Sequence, residues 1–394
     1  MHHHVAPASA RATTPVRAGR GRIRRGLGLG LTLLLLAVAA ACTRSGDESA
    51  SSDEPAAAPS GGDNGGGDAA ATPPAADVDP ASVAADPSDG CDAAGPAAPG
   101  DQRVALAAGG AARGYLLHVP PGYDGTTPLP LVVDVHGYAI PADLEAGISG
   151  MAAAGDTAGY LTLTPEALGQ PERWDTRVDS DDVAFVGQVL DDAETTLCVD
   201  RARVFATGFS EGGFMASTLA CGLSDRIAAV APVAGLRDVP GCAPDRPVPV
   251  LTFHGTEDTF MVYDGGMGPD MAALPAPDGS GGKLGDFVAD DDSLIPGPVD
   301  DALPDIAGAW ADRNGCEGAG EPEEAPVAND VTRITYSCPP GADVELYRVR
   351  GGGHTWPGSD GTASFEYVAG TTTFSVDATE LIWEFFTAHP LSGG

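Results

Sequence analysis

The segment Val204-Phe-Ala-Thr-Gly-Phe-Ser210-Glu-Gly-Gly-Phe-Met215 constrains this chain more than any other. Ala202 to Ala206 alternates and leans toward β structure, while Phe214, Met215, Leu219 and Ala220 have the spacing of a helix face. Between them, Gly-x-Ser-x-Gly-Gly leaves no length for a loop, so strand must pass into helix through one sharp turn. Such a turn lifts the hydroxyl of Ser210 above a sheet. Gly208 and Gly212 are needed because a side chain at either would strike the neighbouring strand or helix. In a chain with 54 glycines the pattern alone is weak, and an ordinary turn serine would fit it. The flanking strand and helix, and what lies downstream, argue for a nucleophile.

Two further segments supply what a serine nucleophile needs. Val248-Pro-Val-Leu-Thr-Phe-His-Gly-Thr-Glu-Asp258 is an apolar strand running into a polar turn, which puts Asp258 just past the strand's carboxyl end. Val344-Glu-Leu-Tyr-Arg-Val-Arg is another strand, followed by Gly351-Gly-Gly-His354. The order Ser, Asp, His is that of the α/β-hydrolase fold. In this reading Ser210 attacks, His354 takes and returns the proton, and Asp258 orients the imidazole and stabilises its charged form. Glu257 and Asp264 are alternatives for the acid, but Asp258 is the one directly beyond the strand. Among the other histidines, His118 lies inside a strand, His136 and His254 precede a glycine at strand ends where they brace loops, and His389 is near the C-terminus. The strand Pro128-Leu-Pro-Leu-Val-Val-Asp-Val-His-Gly-Tyr138 ends where an oxyanion hole belongs. The backbone N–H groups of Tyr138 and Glu211 are its expected donors.

Taken together, His-Gly-Tyr138, Gly-Phe-Ser210-Glu-Gly-Gly, His-Gly-Thr-Glu-Asp258, Trp310-Ala-Asp-Arg-Asn-Gly-Cys316 and Gly-Gly-Gly-His354-Thr-Trp-Pro-Gly are similar to one family. The chain resembles the secreted polyhydroxybutyrate depolymerases and feruloyl esterases, including lipoprotein esterases of the mycobacterial type. Asp182-Val-Ala-Phe-Val matches the helix that precedes the nucleophile strand there, and the resemblance covers roughly residues 90 to 390. It implies the same Ser210, Asp258, His354 triad and a carboxylic ester substrate. Two departures bear on that substrate. Val262-Tyr-Asp-Gly-Gly stands where the family commonly has Pro-Tyr-Asp-Gly-Gly, and an insertion rich in Gly, Asp and Pro runs from about Met267 to Pro298. The insertion leaves the chain just after Asp258, so it is expected to border the acyl or alcohol pocket. Tyr138, Trp174 and Trp356 are candidates to line an aromatic cleft, Trp356 being equally able to brace the histidine loop. Feruloyl-type and hydroxybutyrate-type esters are near-equal candidates, as soluble or oligomeric esters, because no polymer-binding module follows Phe386. The rivals are a serine peptidase of the same fold and a non-catalytic binding lipoprotein.

The first 41 residues hold six arginines and no acid, and an apolar run from Leu27 to Ala41 ends at Cys42. This reads as a signal peptide over 1–41, too short for a comfortable membrane span. Ala39-Ala-Ala-Cys42 resembles a lipobox, which makes Cys42 the candidate lipidation site; Arg24-Arg25 lacks the flanking pattern of twin-arginine export. Residues 42–90, rich in Ala, Gly, Pro and Asp, read as a flexible tether, leaving 91–390 as one catalytic domain. Without the leader, 15 bases face 56 acids, a formal charge of −41. That charge excludes nucleic acid and anionic membrane surfaces as ligands and favours a neutral ester over a polyanion. Membrane contact is then through a lipid anchor alone, and a monomer at the outer face of the cell membrane, or secreted, is expected.

Six cysteines remain beyond Cys42, an even set that reads as disulfides in an exported protein. Cys198 precedes the nucleophile strand and Cys221 ends the returning helix, so Cys198–Cys221 is the expected bond at the lower sheet edge. Cys316 and Cys338 flank one excursion, and Cys91 pairs with Cys242 by elimination. There is no Cys-x-x-Cys or Cys/His cluster, so no metal and no cofactor are expected. Strands near 114–119, 130–135, 160–164, 202–207, 227–233, 248–254 and 343–349 alternate with helices near 181–197, 211–222, 301–313 and 375–388. That alternation is the signature of a doubly wound, mostly parallel α/β sheet with flanking helices.

Overall fold

The computed structural model describes residues 80–93, 97–108, 111–290, 301–316 and 322–391. The leader 1–41, Cys42, the tether up to residue 79 and the end of the insertion, 291–298, lie outside the described residues. Strands are labelled in chain order: β1 Gly100–Ala108, β2 Ala111–Val119, β3 Leu129–Val135, β4 Leu161–Pro165, β5 Leu168–Gly169, β6 Glu172–Arg173, β7 Val199–Phe209, β8 Val230–Val233, β9 Val250–Gly255, β10 Glu323–Pro326, β11 Val331–Thr335 and β12 Val344–Val349. One ten-stranded sheet has the order β1-β2-β4-β3-β7-β8-β9-β12-β11-β10, and β5 with β6 forms a separate hairpin. From β4 through β12 the neighbours are parallel, a six-strand centre, while the pairs at both edges are antiparallel.

Two apolar layers flank the sheet because the strand pleat sends alternate residues to opposite faces. Leu131, Val133 and Val135 of β3, with Val204 and Ala206 of β7, face the helices Asp181–Thr196 and Leu303–Arg313. Val132 and Phe205 face the other way, against Ile148, Met151, Ile382, Phe385 and Phe386. The strands and helices expected from periodicity are all present, with ends moved by a few residues. The antiparallel edge strands β1, β10 and β11 and the helices Ala142–Ser149 and Met151–Ala158 were not expected. The helices are short, and the edge strands carry mixed exposure instead of an apolar run.

Two expectations at the lower sheet edge need correction. The tether was placed as far as residue 90, but the chain is already docked at Pro80. Arg203 Nη2 donates to Val83 O at 2.9 Å, Asp86 N donates to Asp200 Oδ1 at 2.9 Å, and Ser88 Oγ donates to Leu197 O at 2.7 Å. That docking also overturns the pairings Cys198–Cys221 and Cys91–Cys242. The bonds are Cys91–Cys198 and Cys221–Cys242, with Cys316–Cys338 as the third. The backbone at Gly90 presses so closely on Leu197 that a Cβ would lie 2.1 Å from its carbonyl oxygen, which carries Cys91 to Cys198. Cys221 then takes Cys242, 21 residues on, in the loop after β8.

Candidate active site

At the carboxyl end of β7 the chain reverses at Ser210 with φ 57° and ψ −120°, a conformation an L side chain rarely adopts. What holds it there is close packing of bare backbone. A Cβ at Gly208 would sit 2.5 Å from Val135 O, and one at Gly212 only 1.8 Å from the same atom. A third glycine, Gly235 after β8, passes so near that a Cβ would meet Ser210 O at 2.1 Å. Gly235 is a residue sequence reasoning missed, since a lone glycine after a strand carries no local signal. Helix Glu211–Gly222 starts at once and runs back under the sheet.

Asp258, in the turn after β9, is 4% exposed, and its Oδ2 is 2.7 Å from Nδ1 of His354. Its Oδ1 accepts from the N–H groups of Phe260 and Met261 at 2.7 and 2.9 Å. Burial alone would raise its pKa, but the charge of His354 and the hydrogen bonds and charge of His254 and His354 hold it well below the usual carboxylate range. Asp258 is therefore an anion, able to fix the imidazole with Nδ1 protonated. Phe260 stacks on the His354 ring at 4.7 Å, and Phe209, the neighbour of Ser210, lies 4.8 Å from it on a tilt. Among the described residues no partner takes Nε2 of His354, which leaves that nitrogen to handle a proton. The loop carrying His354 reaches this position because Gly255 and Gly352 touch, a Cβ at Gly255 lying 2.2 Å from Gly352 O.

The loop after β3 carries Tyr138, one of the two residues expected to donate to an oxyanion. Gly137 N donates to Glu145 Oε2 at 3.4 Å and Ala139 N to Glu172 O at 2.9 Å, while the N–H groups of Tyr138 and Glu211 have no partner among the described residues. His136 braces this loop as expected: its Nδ1 bonds Gly137 O at 2.8 Å and its Nε2 accepts from Ala167 N at 3.0 Å. Burial pushes its pKa down to about 4, so the ring is neutral. His254 bonds Met261 O at 2.8 Å and lies 3.3 Å from Asp258 Oδ2. Glu145 was not foreseen. It is wholly buried, with its pKa raised well above the ordinary value by burial and by the neighbouring Asp134, and it props the loop from beneath. A glutamate on a short helix carries no sequence signal for that role.

The aromatic expectation needs correction. Trp174 and Trp356 have no exposed surface. Trp174 Nε1 donates to His136 O at 2.8 Å and Trp356 Nε1 to Thr379 Oγ1 at 3.0 Å, so both brace loops from within. Tyr138 does line the pocket of about 20 Å³ beside Ser210 and Glu211, and its other walls are Phe214, Phe260, Met271, Leu274 and Leu284. Three of these belong to the insertion, which packs as its own small apolar cluster and is tied down by Tyr138 Oη donating to Pro275 O at 2.7 Å.

The parallel centre, the strained serine after β7, its third strand, and the buried acid–histidine pair at the same edge define an α/β hydrolase. Among curated proteins, the protein named "Putative esterase NocK" of Nocardia uniformis subsp. tsuyamanensis is 33% identical over 63% of this chain and 72% of its own length. Feruloyl esterase B of Piromyces equi is 29% identical over 65% of this chain, which spans 45% of that relative's length. Feruloyl esterase C of Emericella nidulans is 32% identical over 39% of this chain and 58% of its own. An acetyl xylan esterase structure from Aspergillus awamori is 15% identical, covers 68% of this chain and 98% of its own, and superposes with a TM-score of 0.46. No protein-family model matches the chain. The chain belongs to the family of α/β-hydrolase esterases that includes NocK and the feruloyl esterases.

Proposed function

We propose that this protein hydrolyses carboxylic esters through an acyl-enzyme on Ser210. The observation that carries the reading is the strained Ser210 at one sheet edge with the 2.7 Å Asp258–His354 pair, the imidazole lying against Phe209. Ser210 Oγ attacks the ester carbonyl carbon and its proton passes to Nε2 of His354. The N–H groups of Tyr138 and Glu211 stabilise the oxyanion, and collapse expels the alcohol with the proton from His354. Water then attacks the acyl-serine with His354 again as base, releasing the acid and restoring Ser210. Asp258 stays ionised throughout and stabilises the imidazolium.

Feruloyl-type and hydroxyalkanoate-type esters are the substrate classes, the first supported by the names of the relatives and both by the motifs around Ser210, Asp258 and His354. Export is supported by three disulfides, which persist in oxidising compartments, with Cys42 as the lipid anchor. Turnover of p-nitrophenyl acetate by the wild type and by Ser210→Ala tests the reading. The variant is expected to fall by roughly 10⁴-fold or more; equal rates would sink the esterase assignment.

A further inference from the structure

Glu211 has a side chain as unusual in its setting as its backbone. It follows the nucleophile directly, is 7% exposed, and among the described residues is the one acidic residue lining the Ser210 pocket. Its Oε2 accepts from Trp174 N at 3.2 Å, and among the described residues its other oxygen has no donor. All the other pocket side chains except Ser210 and Tyr138 are hydrocarbon or thioether, and the Tyr138 hydroxyl is spent on Pro275. The pocket holds little more than a water-sized group, so an acyl group that enters it from Ser210 comes up against Glu211.

We infer that Glu211 acts as a neutral hydrogen-bond donor to an acceptor oxygen on the acyl chain, selecting oxygen-bearing acyl groups over plain hydrocarbon ones. The inference rests on the esterase reading of the same pocket. Its chemistry follows from the hydrogen bonds. The oxygen that takes the Trp174 N–H is the carbonyl end of the acid, so the proton resides on the other oxygen. Charge on Glu211 would also repel the oxyanion forming beside it, so a neutral acid suits the site. Burial raises its pKa to about 8, against the Trp174 hydrogen bond; Arg173 and Arg237 favour the anion and Asp182 opposes it, with Tyr138 the remaining titratable group lining the pocket. The neutral form therefore prevails at pH 7. A buried donor discriminates strongly, because a hydrocarbon chain leaves it unpaired.

The test compares kcat/KM for p-nitrophenyl methoxyacetate and p-nitrophenyl butyrate, near-isosteric acyl groups that differ by one acceptor oxygen. Wild type, Glu211→Leu and Glu211→Gln all keep the backbone N–H, and intrinsic ester reactivity cancels when their ratios are compared. Glu211→Leu is expected to lower the methoxyacetate-to-butyrate ratio by about tenfold, while Glu211→Gln, still a donor, holds most of it. The wild-type ratio should also fall as pH rises through about 8, whereas the Glu211→Gln ratio stays flat. If Glu211→Leu folds poorly, the contrast in pH dependence between wild type and Glu211→Gln carries the test. Equal, pH-independent ratios with turnover intact overturn the role of Glu211 alone. No turnover of either ester by the wild type defeats the esterase reading and this inference with it.

Discussion

Around Asp258 both carboxylate oxygens are hydrogen-bonded, and the surrounding strands β7, β9 and β12 are buried almost throughout. The insertion that borders the Ser210 pocket is held differently. From Met267 to Val288 it packs through Phe214, Met271 and Leu284 with half-buried neighbours, and Tyr138 Oη to Pro275 O ties it to the loop after β3. The rim is over-determined by backbone contacts that admit no Cβ, whereas the insertion rests on a few adaptable side chains, methionines among them. The contrast separates two tasks. Chemistry needs reacting groups fixed to within fractions of an ångström, while admission of an acyl group needs a wall that yields at low cost.

Disrupting the rim should have the largest effect. Asp258→Asn keeps the shape but presents an amide to Nδ1, which favours the wrong imidazole tautomer. Steady-state kinetics on p-nitrophenyl acetate should show kcat down by about 10³- to 10⁴-fold with KM little changed. A loss under tenfold would mean that another acid, Glu257 or Asp264, does the work.

A smaller effect should appear in stability against pH, because the rim keeps acids neutral. Burial raises Asp134 to about 7, Glu211 to about 8, and Glu145 well above its ordinary value. Each binds a proton in the folded state where the unfolded chain has already lost it. The contribution of Asp134 and Glu211 is therefore full below about pH 4 and lost as pH rises through 7 to 8, and that of Glu145 has the same sign. Asp258 has the opposite sign and weakens the fold only as pH falls below about 3.8. Denaturant unfolding should show stability falling by several kcal/mol, on the order of 5, from pH 5 to pH 8.5. A protein more stable at pH 8.5 would refute the protonated state of these carboxyls.

The smallest effect belongs to the insertion. Tyr138→Phe removes the bond to Pro275, worth about 1 kcal/mol, without touching the backbone donor. Amide exchange in residues 268–288 should quicken about fivefold while β7 is unaffected. The kcat/KM of methyl ferulate relative to p-nitrophenyl acetate should rise a few-fold. Unchanged exchange there would show that the insertion is as firmly held as the rim.

How much of this was legible depended on the range of the interactions. The elbow was legible because Gly208-x-Ser-x-Gly212 stands between a strand pattern and a helix pattern, although the backbone that holds it includes Val135 and Gly235 from elsewhere in the chain. The parallel centre followed from apolar runs long enough to be buried on both faces, and Asp258 and His354 from their places just beyond such runs. The edge strands lacked that signal, and Glu145 and Gly235 act through backbone far away in sequence. Cysteine pairing failed for the same reason: an even count requires partners, but the choice was made when residues 80–91 docked on the start of β7. Trp174 and Trp356 looked like pocket walls because aromatic residues near a catalytic motif can face either way. Only packing against His136 and Thr379 turned them inward and left the wall to Met271, Leu274 and Leu284. Which groups stand at the sheet edge was already set by local order along the chain, since strand periodicity and turn chemistry are short-range. Tertiary structure alone decided what surrounds them, because burial and contact between distant segments depend on how the whole chain closes.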